Sequence, residues 1–273
     1  MTLHSVGLKA GCRLKPAPLL LAALLPSFAG DLSPTIDRAV PQTDLNYIVI
    51  DVRTREVVAS RWPDADAPIP VGSLVKPFTA LAYAGKFPEF ECKGSANGCW
   101  RAKGHGVLDF TEALAESCNA YFLQLAARVD PDTLGVVAAT FGIPQPSART
   151  AQARIGLGDA WRISPLALTR AYAELAMRAG DPRADLILAG LERAAREGTA
   201  RQMGRGAKGM RVLAKTGTAP CTAERRDAGD GFALALFPAE APKTALLVRV
   251  HNAPGAEAAK PAARILRVLR EGH

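Results

Sequence analysis

A serine and a lysine stand three positions apart between Pro70 and Phe78, where the sequence predicts the start of a helix. Because residues i and i+3 lie on one face of a helix, the Ser73 hydroxyl and the Lys76 amine can meet. A serine is a weak nucleophile until a base takes its proton, and a neighbouring lysine can serve as that base. A helix N-terminus also directs backbone N–H groups at whatever the hydroxyl attacks. The pair is a candidate for acyl transfer, although alone it also fits a helix cap followed by a solvated lysine.

Two later segments carry further residues of this chemical kind. Ser117-Cys118-Asn119 falls between two predicted helices, 44 positions after Ser73, and Lys215-Thr216-Gly217-Thr218 ends a predicted strand, 142 positions after Ser73. Each has an ordinary explanation by itself, a helix cap for Ser117 and a strand-end charge for Lys215. Together and in this order they match the Ser-x-x-Lys, Ser-x-Asn and Lys-Thr-Gly set of enzymes that form an acyl-serine intermediate.

With these motifs the sequence resembles the transpeptidase domain of penicillin-binding proteins, in the superfamily that also contains the serine β-lactamases. The likeness covers most of residues 45 to 270. It includes Gly72 to Phe78, Gly104-His105-Gly106, Ser117 to Phe122, the Ile155 to Gly158 turn with Ser164-Pro165-Leu166 after it, and Ala214 to Ala219.

The resemblance implies a catalytic role for four of these residues. Ser73 would be the nucleophile and Lys76 its base, while Ser117, between Lys76 and Lys215, would relay the proton to the departing amine. A free lysine has a pKa of about 10.4, so a base near neutral pH needs a depression of about three units. Burial and a second cation, Lys215, both act in that direction. The backbone N–H groups of Ser73 and Thr218 would bind the oxyanion.

The same resemblance implies that a second set of residues binds the substrate. Asn119 would contact the substrate amide. Lys215, Thr216 and Thr218 would hold its terminal carboxylate by charge and by hydroxyl donors. Gly217 has no side chain, so both the substrate and the helix that begins at Ser73 can approach it closely.

Strand patterns at both ends of the chain, with helical patterns between them, predict the elements that must position these residues. The strands are expected at 45–52, 57–59, 210–214, 232–237 and 244–250. The helix after Ser73 is expected to run to about Ala84, followed by a loop over 86–106. Further helices are expected at about 109–116, 120–129, 132–141, 164–179 and 185–197, with an amphipathic helix around 262–269.

This arrangement predicts an α/β fold of the α+β type. We expect a mainly antiparallel sheet built from N- and C-terminal segments and flanked by helices. An all-helical lobe over about residues 86–205 would be inserted into it. The site would lie in the cleft between sheet and lobe.

Residues 1–29 have the build of a secretory signal peptide. A basic start precedes an apolar core from Leu19 to Leu25, and Ser27-Phe28-Ala29 offers a small-residue cleavage site before Gly30. We expect export to the periplasm or cell envelope, with residues 30–273 as a single penicillin-binding, transpeptidase-like domain. An uncleaved anchor is the alternative, and membrane association is expected only in that case.

The chain has five cysteines, which fits an exported protein if some of them pair. Cys92 and Cys99 flank a Gly/Ser/Asn loop and are candidates for a small disulfide. Zinc is the competing explanation, but no second close cysteine pair and no paired histidines supply four ligands at the usual spacing. We therefore expect no metal and no cofactor. His105 is interpreted as a structural residue and Cys118 as a buried thiol.

The charge pattern gives no sign of a nucleic-acid partner. The formal net charge is +8, and the three basic residues of the predicted signal peptide account for part of it, leaving +5 for the rest of the chain. No stripe of interleaved basic and aromatic residues accompanies that surplus. The resemblance implies instead a peptidoglycan stem peptide as substrate and β-lactams as inhibitors.

The acyl-serine step is common to transpeptidases, carboxypeptidases and β-lactamases, so the fate of the acyl-enzyme decides the function. A class A β-lactamase needs a glutamate that activates water, and no Glu-x-x-x-Asn segment lies between Asn119 and Lys215. A class D enzyme would favour an aliphatic residue at position 119. We expect a D-alanyl-D-alanine transpeptidase or carboxypeptidase. The alternatives are a class D-like serine β-lactamase and a non-catalytic penicillin-recognising sensor or scaffold.

Overall fold

Ten helices and nine strands form the computed structural model within residues 31–220 and 229–271, which are the residues that it describes. The N-terminal part consists of α1 (Ser33–Ala39), β1 (Leu45–Asp51), β2 (Val57–Arg61), β3 (Ile69–Pro70), a 3₁₀ turn (Gly72–Val75) and α2 (Lys76–Leu81). The predicted signal peptide, Cys12 and Cys221 lie outside the described residues.

The middle of the chain is mostly helical. It consists of β4 (Phe90–Cys92), a second 3₁₀ turn (Gly94–Asn97), β5 (Gly106–Leu108), α3 (Phe110–Ala115), α4 (Asn119–Ala126), α5 (Pro131–Thr140), α6 (Ala151–Arg154), β6 (Arg162–Ile163), α7 (Pro165–Ala176) and α8 (Pro182–Arg196). The C-terminal part consists of α9 (Arg201–Gly206), β7 (Leu213–Ala219), β8 (Asp230–Phe237), β9 (Thr244–Val250) and α10 (Gly255–Glu271).

Five of the strands form one antiparallel sheet in the order β2-β1-β9-β8-β7. Two of these strands come from the N-terminal part of the chain and three from the C-terminal part, which confirms the predicted fold class. Strand β7, which carries the Lys-Thr-Gly motif, is at one edge. The motif strand is therefore hydrogen-bonded to β8 along one edge only, and its other edge faces the middle segment of the chain.

Alternating side chains of the strands bury both faces of the sheet. Tyr47 and Val49 point to a core shared with α1, α9 and α10, whereas Ile48 and Ile50 point to a core shared with the Gly72–Val75 turn and the middle helices. Burying one such aliphatic side chain stabilises the fold by about 1.5–3 kcal/mol. The sheet is thus a middle layer between two helical layers.

Polar residues at the starts of the middle helices fix where those helices begin. Asp109 forms a capping box with Glu112 at α3, and the Ser164 side chain accepts a hydrogen bond from the Ala167 backbone N–H (3.0 Å) at α7. Both helix starts agree with the sequence prediction. Within the described ranges, no helix has the length and apolar character needed to cross a membrane.

The structure corrects some details of the predicted elements. Helix α2 ends at Leu81, three residues before the predicted end. The predicted loop over 86–106 contains β4, which pairs with β5. The lobe is therefore mainly, but not wholly, helical. The strand expected at 210–214 lies instead at Leu213–Ala219.

Candidate active site

Ser73 lies in the 3₁₀ turn that precedes α2, so the chain is helical from Gly72 through Lys76 and beyond. The Lys76 backbone N–H donates to the Ser73 carbonyl oxygen, and helical spacing keeps the two side chains on one face. Ser73 is half-buried and Lys76 is fully buried. The turn packs against β7, which brings the first and third motifs together.

Glycines allow the turn and the strand to touch through their backbones. Gly72 has φ of +59°, and a Cβ on it would meet the Thr218 carbonyl group. A Cβ on Gly217 would lie 2.8 Å from the Val71 carbonyl oxygen and 3.0 Å from Leu74 Cγ. Each contact is closer than a side chain allows, so glycine is required at both positions. The close approach predicted for Gly217 is present.

The Ser117 hydroxyl lies between the two lysine amines. Its Oγ accepts a hydrogen bond from Lys215 Nζ at 2.7 Å and is 3.4 Å from Lys76 Nζ. Both amines are fully buried. Three segments far apart in the sequence, on α2, before α4 and on β7, therefore meet at one hydroxyl, which has the position needed to pass a proton between amines.

Burial lowers the pKa of both lysines. The pKa of Lys76 falls to about 7 because of desolvation, while the sulfurs of Cys118 and Cys99 act in the opposite direction. Desolvation, and after it the charge of Lys76, lower the pKa of Lys215 well below its ordinary range. Burial and the repulsion between the two amines therefore act in the same direction.

Ser117 has an unusual backbone conformation, with φ of +51°. This left-handed region costs an L-residue roughly 1–2 kcal/mol. The Ser117 N–H donates to the Leu114 carbonyl at 3.2 Å, and the Cys118 N–H donates to the Ala113 carbonyl at 2.9 Å, so the end of α3 holds the loop. The strain therefore lies at the residue whose hydroxyl contacts both lysine amines.

Asn119 is the first residue of α4, and its side chain contacts the site directly. Its Oδ1 accepts a hydrogen bond from Lys76 Nζ at 2.7 Å, and the Ser117 carbonyl oxygen accepts another at 2.8 Å. The second motif thus orients the Lys76 amine through an amide and a carbonyl as well as through its hydroxyl.

The two threonines of the third motif differ in their surroundings. The Thr216 hydroxyl is buried and hydrogen-bonded to Thr199 Oγ1 at 2.7 Å. The Thr218 side chain is exposed, and its Oγ1 accepts a hydrogen bond from the Gly255 N–H at 3.0 Å. Of these two hydroxyls, that of Thr218 is the one open to a ligand. No motif in the sequence marks Thr199 as a partner of Thr216.

Two more residues that sequence analysis missed support the turn and the lobe. The buried Tyr172 hydroxyl donates to the Leu74 carbonyl at 2.7 Å, next to Ser73. The Arg154 guanidinium donates to the Ala126 carbonyl (2.5 Å) and the Val129 carbonyl (2.8 Å). These carbonyls lie at and just beyond the C-terminal end of α4, where a positive charge stabilises a helix. The spacing of Tyr172 and Arg154 in the sequence gives no signal, because each partner is a backbone carbonyl.

The disulfide predicted between Cys92 and Cys99 is not formed. Both are free, buried thiols, and they lie with Cys118 and His105 in one cluster beside the second motif. The sequence placed Cys92 and Cys99 together correctly, but it gave no indication that the other two residues join them.

Comparison with known protein families gives one match. A family model described as the penicillin binding protein transpeptidase domain matches residues 47–270. No curated protein matches the chain significantly.

Several solved structures share the fold at low sequence identity. Pseudomonas aeruginosa PBP2 in complex with WCK 5153 has a TM-score of 0.72 at 19% identity, over 88% of this chain and 73% of that chain. The TP domain of Burkholderia pseudomallei penicillin-binding protein 3 gives 0.67 at 20% identity, over 87% and 91%. PBP2 of Helicobacter pylori, in a complex with MreC, gives 0.74 at 16% identity, over 86% and 61%.

We expect the backbone strain at Ser117 to be measurable with two variants that both remove the hydroxyl. Ser117→Gly should be more stable than Ser117→Ala by about 1 kcal/mol, because glycine adopts positive φ without a steric penalty. The measurement is the free energy of unfolding from chemical denaturation.

The matched control is the same pair of substitutions at Ser95, an exposed residue in the second 3₁₀ turn with negative φ. There the order should reverse, since glycine destabilises a helical turn. Equal stabilities of the two Ser117 variants would show that the loop stores no strain.

Proposed function

This chain belongs to the penicillin-binding protein transpeptidase family, and on that premise we propose that it is an acyl-serine enzyme that acts on peptidoglycan stem peptides. Its activity is that of a D-alanyl-D-alanine transpeptidase or carboxypeptidase, and β-lactams acylate the same serine. The observation that carries the proposal is the Ser117 hydroxyl between two buried amines, next to the turn that bears Ser73.

Acylation begins with attack of the Ser73 hydroxyl on the carbonyl carbon of the penultimate D-alanine. Lys76 accepts the hydroxyl proton, which its lowered pKa of about 7 allows near neutral pH. An amine with an ordinary pKa of about 10.4 would be almost wholly protonated there and could not act as a base. Burial of Lys76 by the lobe is therefore the feature that activates the nucleophile.

Collapse of the tetrahedral intermediate requires a proton on the leaving amine of the terminal D-alanine. Lys76 carries that proton after attack, and the Ser117 hydroxyl can transfer it, since it lies within reach of both lysines. Lys215, hydrogen-bonded to the same oxygen, orients the hydroxyl. The bond to the leaving amine breaks, and the acyl group stays on Ser73 as an ester.

The edge strand β7 supplies binding groups on the other side of the reacting carbonyl. The backbone N–H of Thr218, together with that of Ser73, would bind the oxyanion, and losing one such donor costs an enzyme about 10²- to 10³-fold in rate. The exposed Thr218 hydroxyl and the Lys215 amine would hold the terminal carboxylate as hydrogen-bond donors. The Thr216 hydroxyl instead supports the strand through Thr199.

The proposed substrate belongs to the cell envelope, which agrees with the proposal that residues 1–29 are a signal peptide and that residues 30–273 form one exported catalytic domain. In the periplasm, the ester on Ser73 would be transferred either to water or to the amine of a second stem peptide. That acceptor decides between carboxypeptidase and transpeptidase.

A purified stem pentapeptide that ends in D-Ala-D-Ala tests the proposal. We expect release of D-alanine, measured by chromatography, with a crosslinked product when an amine acceptor is added if the enzyme is a transpeptidase. Turnover of a chromogenic cephalosporin with no D-alanine release would replace the proposal with a β-lactamase. Slow acylation with neither product would replace it with a sensor.

Covalent labelling by a fluorescent penicillin tests the nucleophile. The wild-type chain should form an adduct that survives denaturing electrophoresis, and Ser73→Ala should form none. The control is Ser95→Ala, which changes an exposed turn residue and should be labelled like the wild type. Equal labelling of Ser73→Ala would remove Ser73 from the mechanism.

The lowered pKa of Lys76 predicts a pH dependence of acylation. The neutral amine is the active form, so the labelling rate should fall about tenfold per pH unit below about pH 7 and level off above it. Lys76→Met should lower the rate by a factor of 10² or more on the plateau above pH 7, within the usual size of general-base effects, roughly 10²- to 10⁴-fold, and should remove the dependence on this group. The exposed Lys243→Met should keep the wild-type profile. A midpoint near 10, the ordinary value for a lysine, would mean that burial does not activate Lys76 as the base.

A further inference from the structure

Three cysteines and one histidine form a buried cluster that the acyl-transfer mechanism does not use. Cys92, Cys99, His105 and Cys118 each present one ligand atom, and these four atoms all lie within 4.8 Å of one another. The three cysteines are buried, and the His105 side chain is 1% exposed. We call these four residues the Cys3His cluster, and we propose that it binds one zinc ion that fixes the second motif in place.

The distances within the cluster match tetrahedral coordination. With Zn–S bonds of about 2.3 Å and a Zn–N bond of about 2.0–2.1 Å, two sulfurs lie about 3.8 Å apart and a sulfur lies about 3.5–3.6 Å from the nitrogen. In the structure, Sγ of Cys99 is 3.8 Å from Sγ of Cys118. His105 Nδ1 is 3.4 Å from Sγ of Cys92 and 3.5 Å from Sγ of Cys99.

The groups around the cluster suit a metal site rather than four unrelated side chains. His105 Nε2 is buried without a hydrogen-bond partner and faces the Glu116 carboxylate at 3.7 Å. Metal on Nδ1 places the ring proton on Nε2, directed at that carboxylate, which is the usual outer partner of a zinc-bound histidine. Backbone N–H groups of Arg101, Asn119 and Ala120 donate to Sγ of Cys99, and such hydrogen bonds are typical outer partners of a metal ligand.

The loop that carries three of the four ligands is folded to bring them together. Gly94, Gly98 and Gly104 all have positive φ, and a Cβ on Gly94 would collide with the Ala102 carbonyl. The β4–β5 pair closes the base of this loop. The β4–β5 pair thus holds the loop in a compact turn that carries Cys92, Cys99 and His105. Cys118, the fourth residue of the cluster, lies outside this loop.

A disulfide explains the cluster less well than zinc does. One pair would leave a third cysteine and a buried histidine without a role, and the Cys99 and Cys118 sulfurs are 3.8 Å apart, compared with about 2.05 Å in a disulfide. Zinc engages all four residues. The set S₃N in tetrahedral geometry is a known structural zinc site.

Ligand spacing explains why the sequence by itself gave no indication of a metal site. Cys92 and Cys99 are separated by six residues, and the third cysteine lies inside Ser117-Cys118-Asn119, where its neighbours carry the motif. His105 is separated from any second histidine. Four ligands are present, but only the fold shows that they converge.

The position of Cys118 gives the metal a structural task. Its neighbours are Ser117, which is held at φ of +51°, and Asn119, which binds the Lys76 amine. A metal bond to Cys118 anchors this strained loop between the two residues that contact the Lys76 amine.

Metal content of the full chain tests the proposal directly. Protein purified from zinc-supplemented medium without chelator or reductant should contain about one zinc per chain after extensive dialysis, measured by plasma mass spectrometry. Cys92→Ser, Cys99→Ser and His105→Gln should each lose the metal, whereas Ser95→Ala, in the same loop, should retain it. Glu116→Gln should keep the site but weaken zinc affinity about 10- to 100-fold.

A second measurement keeps the test independent of whether these variants fold. The wild-type chain with cobalt in place of zinc should show the intense visible bands and the sulfur charge-transfer absorption of a tetrahedral thiolate site, and chelation should lower the melting temperature. Two results would overturn the proposal. One is wild-type protein that binds neither metal while the three thiols of the cluster are free, and the other is a disulfide between two of those thiols.

Discussion

Two lysine amines, both withdrawn from water and both within reach of one serine hydroxyl, are the constraint on which the rest of this structure depends. A buried ammonium is costly, and two of them beside each other are more so. The fold therefore favours states in which at least one amine is neutral. The sheet, the turn and the lobe together bury the two amines, and none of the three does so alone.

The sequence predicted the parts of the fold that depend on local patterns. Strand β9 was predicted with the observed bounds, and the starts of α3 and α7 followed from Asp109 and from Ser164-Pro165. The family resemblance carried by the three motifs implied that Ser117 lies between Lys76 and Lys215, and in the structure its hydroxyl contacts both amines.

Other parts could not be predicted, because function replaces the usual residue types or because the partners are far apart. Strand β7 was predicted too early in the chain, since Lys215 and Thr216 are polar residues in a buried strand, where an apolar pattern is the ordinary signal. Cys118 converges with a loop that precedes it by more than ten residues. The Tyr172 hydroxyl reaches a carbonyl on a different element, which no pattern in the sequence marks.

The contact between the Gly72–Val75 turn and β7 is made by main chain against main chain at Gly72 and Gly217. Gly156 adds another such contact at the Gly72 carbonyl. Main chain has no rotamers with which to adjust, so the spacing between turn and strand does not depend on which side chains fill the cores around it. Substitutions in the cores can therefore change the stability of the protein while leaving the distance between Ser73 and β7 intact. The fold itself is shared with solved structures at only 16–20% sequence identity.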